Sequence, residues 1–172
     1  MSEVYQHPKH YGIAFCWRDV GAEVDVFKDV IRQYSRIPVA RMLEVGCGPA
    51  PHLPELANRG YAYVGLNASC AMLAYAHERA RALQASATFV GADMRHFHLA
   101  APVDFAFVLL GSLFVQSTAD LTAHFGAMSR ALKPGAFTCW TGASISPPMR
   151  GARKPGLSKM TGSPSRPPVR PA

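Results

Sequence analysis

The chain has 172 residues, 49% of them hydrophobic, which suits one globular domain with a sizeable core; no apolar stretch reaches the ~18 to 20 residues that cross a bilayer. The opening Met1-Ser2-Glu3-Val4-Tyr5 has no basic lead into an apolar run, so neither a secretory signal nor a membrane span is expected and the cytoplasm is the expected address. The net charge of +7 is concentrated in residues 143–172, which hold six basic residues and no acid, leaving twelve basic against eleven acidic residues in 1–142; that nearly neutral body disfavours nucleic acid as a partner.

In chain order, apolar periodicity alternates between helix and strand. Val24, Phe27, Val30, Ile31 and Tyr34 recur at a period of about 3.6 residues and predict a helix that Pro38 ends. Val39 to Val45 reads as the first strand and Leu53 to Asn58 as a short helix. After the Arg59-Gly60 turn, Tyr61 to Leu66 reads as the second strand. Ser69 is placed to N-cap a helix whose inward face is Met72, Leu73, Ala76, Ala80 and Leu83. Ala87 to Val90 is a short third strand. Val103 to Leu110 is nearly all apolar, as a strand covered on both faces must be, and is expected at the centre of the sheet. Thr118 to Leu132 predicts a helix with Leu121, Phe125, Met128 and Leu132 on one side, closed by Lys133-Pro134-Gly135, and Ala136 to Thr141 is the last strand. Strands interleaved with helices imply right-handed crossovers, hence an α/β domain over 1–142 with a mostly parallel sheet and helices on both faces.

Residues 143–172 carry seven prolines and hardly a large apolar side chain, too little to offset the entropy of ordering, and are expected to be a disordered tail. Cys16, Cys47, Cys70 and Cys139 are far apart and form no C-x-x-C pair, and the close pairs His7/His10 and His96/His98 lack a third ligand at useful spacing. No metal site and no disulfide framework are expected.

Most of the functional content lies in Leu43-Glu44-Val45-Gly46-Cys47-Gly48-Pro49-Ala50, an apolar strand that ends in an acid and enters a two-glycine turn. Gly46 and Gly48 permit a tight turn and close approach of a ligand to the backbone, and a helix start follows. Glu44 stands at the strand's carboxyl end, where ligands of open α/β sheets bind. The octet therefore points to a nucleotide-derived cofactor. A dinucleotide fingerprint would put its third glycine at position 51, where this chain has Pro51, which disfavours an NAD-type dehydrogenase.

The order Glu44-Val-Gly-Cys-Gly-Pro-Ala50, Gly65-Leu-Asn67, Gly91-Ala-Asp93-Met94 and Leu132-Lys-Pro-Gly135 resembles the ordered motif set of class I S-adenosylmethionine-dependent methyltransferases over about Tyr11 to Thr141. Tyr11-Gly-Ile-Ala-Phe15 is similar to the lead-in of small-molecule members, and Tyr11 would contact cofactor or substrate. The resemblance implies a Rossmann-like fold and S-adenosylmethionine as cofactor. It implies that Gly46, Cys47 and Gly48 lie against the methionine and ribose, that Glu44 supports the loop or the cofactor amino group, and that Asn67 meets the ribose. Ala92, Asp93 and the Met94 backbone would surround the adenine, and Leu110, Gly111 and Ser112 would flank the methyl group. No Asn-Pro-Pro-Tyr type motif follows the fourth strand, which turns expectation from nucleic-acid bases toward a small-molecule acceptor. No catalytic base is named; His96 and His124 qualify by residue type alone.

Two features depart from the family pattern. Asn67 stands where an acid usually accepts both ribose hydroxyls; an amide has one acceptor oxygen and no charge to strengthen its bonds. The usual last two strands are also lacking, because the fifth strand is followed by the proline-rich segment, and prolines cannot donate to a ladder. That leaves the fifth strand with an open edge suited to self-association or a partner. A second reading therefore stands beside the first: a degenerate or truncated relative with little or no activity, acting, if at all, through a partner.

Overall fold

The structure, a computed structural model, describes residues 3–113 and 115–140. The expected tail and the boundary at 142 lie outside the described residues. A 3-10 turn at Glu3–Gln6 leads into α1 (Pro8–Ala14) and α2 (Val20–Tyr34). There follow β1 (Arg41–Val45), α3 (Leu53–Asn58), β2 (Ala62–Asn67), α4 (Cys70–Ala82), β3 (Ala87–Gly91), β4 (Val103–Val108), α5 (Thr118–Ala131) and β5 (Leu132–Trp140). Helix starts are fixed by side chains: Asp19 accepts from Ala22 N at 2.9 Å, Ser69 from Met72 N at 3.4 Å and Ser117 from Asp120 N at 3.1 Å. Among the described residues no helix is long and apolar enough to cross a membrane.

All strand pairs are parallel, in the order β3-β2-β1-β4-β5. Strand order reverses between β1 and β4, so the crevice beyond their carboxyl ends is the place where such a sheet binds ligands. One face carries Met42, Tyr63, Phe105 and Phe107 beneath Val24 and Phe27 of α2, Leu53 and Leu56 of α3, and Ala76 of α4. The other carries Leu43, Val45, Val64, Leu66, Ala106 and Val108 beneath Ala127, Met128 and Ala131 of α5, with Phe97 and Leu99 beside them. Every residue of β4 is buried, as its composition requires of a central strand.

Several expectations shift. Phe125 is 43% exposed; α5 turns His124, Ala127, Met128 and Ala131 inward instead, because its small residues allow close approach to the sheet. Tyr34 and Leu83 are at the ends of their helices and are exposed. Lys133-Pro134-Gly135 does not close α5 ahead of a later strand. It belongs to β5, which begins at Leu132 opposite Val103 and resumes at Phe137 opposite Phe105, so residues 133–136 bulge out against Asp104 alone. Asp104 is 2% exposed within the apolar β4; its Oδ2 accepts from Ala40 N at 2.9 Å and Arg41 N at 2.8 Å, and its Oδ1 meets Lys133 Nζ at 2.7 Å. Among the described residues β5 pairs only with β4.

Candidate cofactor site

The turn after β1 is built by its backbone. Gly46 N and Cys47 N both donate to Leu66 O, at 2.8 and 3.0 Å, which lays the turn across the end of β2. Gly46 has φ +72, and a Cβ there would lie 2.9 Å from Ser112 Cβ, so glycine is required twice over. From the far side, Arg79 of α4 donates to the carbonyls of Pro49 and Ala50 at 3.4 and 3.3 Å. After β4, Leu110 and Gly111 both adopt positive φ, at 55° and 69°, and this turn presents Ser112 to Gly46. Leucine in that region is strained, a condition that clusters at ligand sites.

Beneath the turn lies a buried charge chain. Glu44 is 6% exposed and both its oxygens are engaged: Oε1 with His52 Nδ1 at 2.7 Å, and Oε2 accepting from the Tyr63 hydroxyl at 2.5 Å. His52 Nε2 meets Glu23 Oε2 at 2.8 Å, and Arg18 donates to both Glu23 oxygens. Burial tends to raise the Glu23 carboxyl, but hydrogen bonds from His52 and Arg18 outweigh it and hold the group below its ordinary value. Burial and the Glu44 charge push the Tyr63 phenol and the Cys47 thiol well up, so both stay protonated. Gly65, opposite Glu44 in the β1–β2 register, leaves room for them: a Cβ there would fall 2.9 Å from Cys47 Sγ and 3.0 Å from Tyr63 Cε1.

Above the turn opens a cavity of about 660 Å³, within the roughly 300 to 1,000 Å³ usual for small-molecule sites. Tyr11, Gly46, Gly48, Asn67, Ala92, Asp93 and Met94 line it. Glu44, Cys47 and Leu110 line the narrow crevice that adjoins it, where Tyr11, Gly46, Gly48 and Ser112 are shared. Eleven of the twelve residues that the resemblance assigns to the site thus converge on one cleft. Gly111 lines neither part. Asn67 Oδ1 accepts from Ser69 N at 2.8 Å, so its amide faces a ligand chiefly with its nitrogen. Asp93 is gripped by Arg95, whose Nε and Nη2 lie 2.9 and 2.7 Å from its two oxygens, and this holds its pKa at about 2. Arg95 Nη1 reaches on to Asp120 of α5 at 2.9 Å. His96 is exposed, and His124 is buried with Nδ1 donating to Met94 O at 3.0 Å, a structural tie behind the cavity wall.

Arg18, Glu23, His52, Tyr63, Arg79, Arg95 and Asp120 carry no motif in the sequence. The one signal for Glu23 was an acid four residues before Phe27, on the inward stripe of α2.

A switch-point cavity bounded by a glycine turn, a polar residue ending β2 and an acid after β3 defines an open α/β protein built for a nucleotide-derived cofactor. The chain belongs to the methyltransferase domain family, whose pattern matches residues 42–135, and its fold is that of the class I S-adenosylmethionine-dependent enzymes. Its structure is similar to CalS10, an amino pentose methyltransferase from Micromonospora echinaspora solved with S-adenosylmethionine bound. The two share 31% identity and a TM-score of 0.65, over 77% of this chain and 55% of that one. It is similar to the sugar N-methyltransferase KedS8 from Streptoalloteichus at 29% identity and a TM-score of 0.65, over 76% and 52% of the two chains. It is also similar to DesVI from Streptomyces venezuelae at 26% identity and a TM-score of 0.66, over 76% and 54%. The chain spans about half the length of these solved proteins. No protein of curated function matches it.

S-adenosylmethionine is the cofactor of this class, and the residues present fit it. The turn has no room for a side chain at Gly46, the cavity is large enough, and a donor at Asn67 and an acid at Asp93 stand apart along its wall.

Proposed function

We propose that this chain carries out methyl transfer to a small molecule, and that an amine on a sugar is the acceptor class to test first. The observation that carries the proposal is the cavity at the strand switch point, with the glycine turn on one side and Asn67, Asp93 and Met94 on the other. The cofactor supplies an activated methyl on a sulfonium, which a nucleophile takes by in-line displacement. The protein's task is then to hold donor and acceptor close and aligned.

In this reading the backbone at Gly46, Cys47 and Gly48 receives the methionine and ribose portion, and Asn67 donates its amide N–H to a ribose hydroxyl. Ala92, Asp93 and Met94 take the adenine. Tyr11, whose ring would lie 3.8 Å from a Cβ at Gly48, covers the turn, and Leu110 and Ser112 stand beside the methyl. The amino-sugar acceptor draws support from CalS10 and KedS8, which act on an amino pentose and at a sugar nitrogen. A second reading, a family member that holds cofactor weakly, draws on Asn67, whose oxygen is already used by Ser69 N.

Isothermal titration with S-adenosylmethionine, with NAD as the control, tests the cofactor half. Heat with the first alone supports the site, and mass-spectrometric screening of amino sugars for a methyl gain then tests the acceptor. A folded sample that gives no heat favours the second reading.

A further inference from the structure

Glu44 and His52 stand at the two ends of the turn that shapes the cavity, eight positions apart, and their side chains meet at 2.7 Å. His52 itself lines neither the cavity nor the crevice and is 0% exposed, packed edge-on to the Phe107 ring at 5.1 Å and beside Phe27 at 5.8 Å. We propose that His52, as an imidazolium, is a positioning residue for cofactor binding: it staples the ends of the turn together through Glu44 and so holds Gly46 and Gly48 in their ligand-ready conformation. This rests on the cofactor site proposed above.

The charges around the ring decide its state. Glu23 faces it from α2, Glu44 from β1 and Arg18 from the segment before α2; Tyr63 of β2 reaches the same Glu44, and Cys47 lies in the turn itself. As an imidazolium the ring donates from both nitrogens, one to each carboxylate, and two cations balance two anions. As a neutral ring protonated on Nδ1 it would turn its Nε2 lone pair to Arg18 Nη2, 3.2 Å away, but also to Glu23 Oε2 at 2.8 Å, and with Arg18 the one cation left beside two carboxylates a buried negative charge would be uncompensated. Burial, and to a lesser degree the neighbouring Arg18 charge, drive the ring toward the neutral form. The Glu44 charge and the hydrogen bonds to Glu23 and Glu44 outweigh that and keep its pKa above 6.5. A raised value means that the staple is complete at lower pH and is lost as pH rises through it.

Nuclear magnetic resonance of the ring nitrogens in the ligand-free protein tests the first half. Both nitrogens of His52 still protonated at pH values where a free imidazole, of pKa about 6.5, is losing its proton is the expected result, and a ring that loses it at or below that value overturns the inference. The second half is read by titrating S-adenosylhomocysteine into the intact chain by calorimetry from about pH 6 to about pH 9. The ligand's own amino group titrates in that range, so His52→Gln supplies the baseline. Wild-type affinity should fall by about tenfold or more beyond that baseline on the alkaline side. Glu23→Gln removes one carboxylate without touching the cavity, and should bring the fall to lower pH; it serves also if His52→Gln does not fold. Wild-type and Glu23→Gln profiles that superimpose overturn the role of His52 while leaving the cofactor site standing. No heat at any pH, from a folded sample, overturns the site and the inference together.

Discussion

Two buried carboxylates stand at opposite ends of the central strands, Glu44 at the carboxyl end of β1 and Asp104 near the amino end of β4, and their partners differ in kind. Asp104 binds two backbone N–H groups and a half-exposed lysine, ties that fasten β1 and β5 to β4 and lead nowhere further. Glu44 binds only side chains, His52 and Tyr63, and through His52 joins a chain that runs to Glu23 and Arg18. One carboxylate holds strands together. The other holds the shape of a turn over which a ligand binds. The same residue type in the same sheet thus serves the fold at one end and the site at the other, and the difference lies in whether its partners are backbone or a second layer of charge.

Glu44→Ala presses hardest on this comparison. It leaves His52 and Arg18 sharing one buried carboxylate, Glu23, and the Tyr63 hydroxyl without its acceptor, and should cost about 3 to 5 kcal/mol of stability together with cofactor affinity, read by thermal unfolding and calorimetry. Gly46→Ala comes next. A positive φ and a Cβ 2.9 Å from Ser112 should cost about 2 kcal/mol and abolish measurable cofactor binding, while the amino end of the sheet stays intact by amide hydrogen exchange.

Asp104→Asn should show the opposite split, losing about 1 to 3 kcal/mol of stability with cofactor affinity within about twofold of wild type. Burial pushes the Asp104 carboxyl up, but Lys133 and the N–H groups of Ala40 and Arg41 outweigh it and hold the group below its ordinary 3.8. Its stabilisation is therefore complete above that ordinary value and drains away as pH falls through the depressed one. Urea unfolding of wild type and Asp104→Asn at descending pH should converge in acid. The smallest expected effect is Asn67→Asp. A carboxylate keeps the bond from Ser69 N and frees a second, charged acceptor, which should tighten cofactor binding by about 1 kcal/mol in the same calorimetric assay.

The alternation of strands and helices was readable because each core face repeats at its own period, and the cleft residues other than Tyr11 were readable because their motifs fall at strand ends, while Tyr11 of α1 was named only from the lead-in. The charge chain was not. Arg18, Glu23, His52 and Tyr63 lie on four separate segments, and periodicity reads only what an element does with its own apolar side chains. Asp104 escaped for a related reason: a strand apolar at its other positions conceals one acid whose partners come from β1 and β5. Phe125 was assigned inward by its place on the stripe with Leu121, Met128 and Leu132, yet α5 buries His124, Ala127, Met128 and Ala131, and the large ring lies outside the contact.

The bulge at residues 133–136 also bears on register. Four residues of β5 stand against one of β4, and the first of them, Lys133, places its Nζ 2.7 Å from Asp104 Oδ1. If β5 slipped along β4 by one position, every side chain from Phe137 onward would swap faces, and a buried aspartate would be left without its cation. The Lys133–Asp104 contact thus favours the native register of the outer strand as well as its attachment.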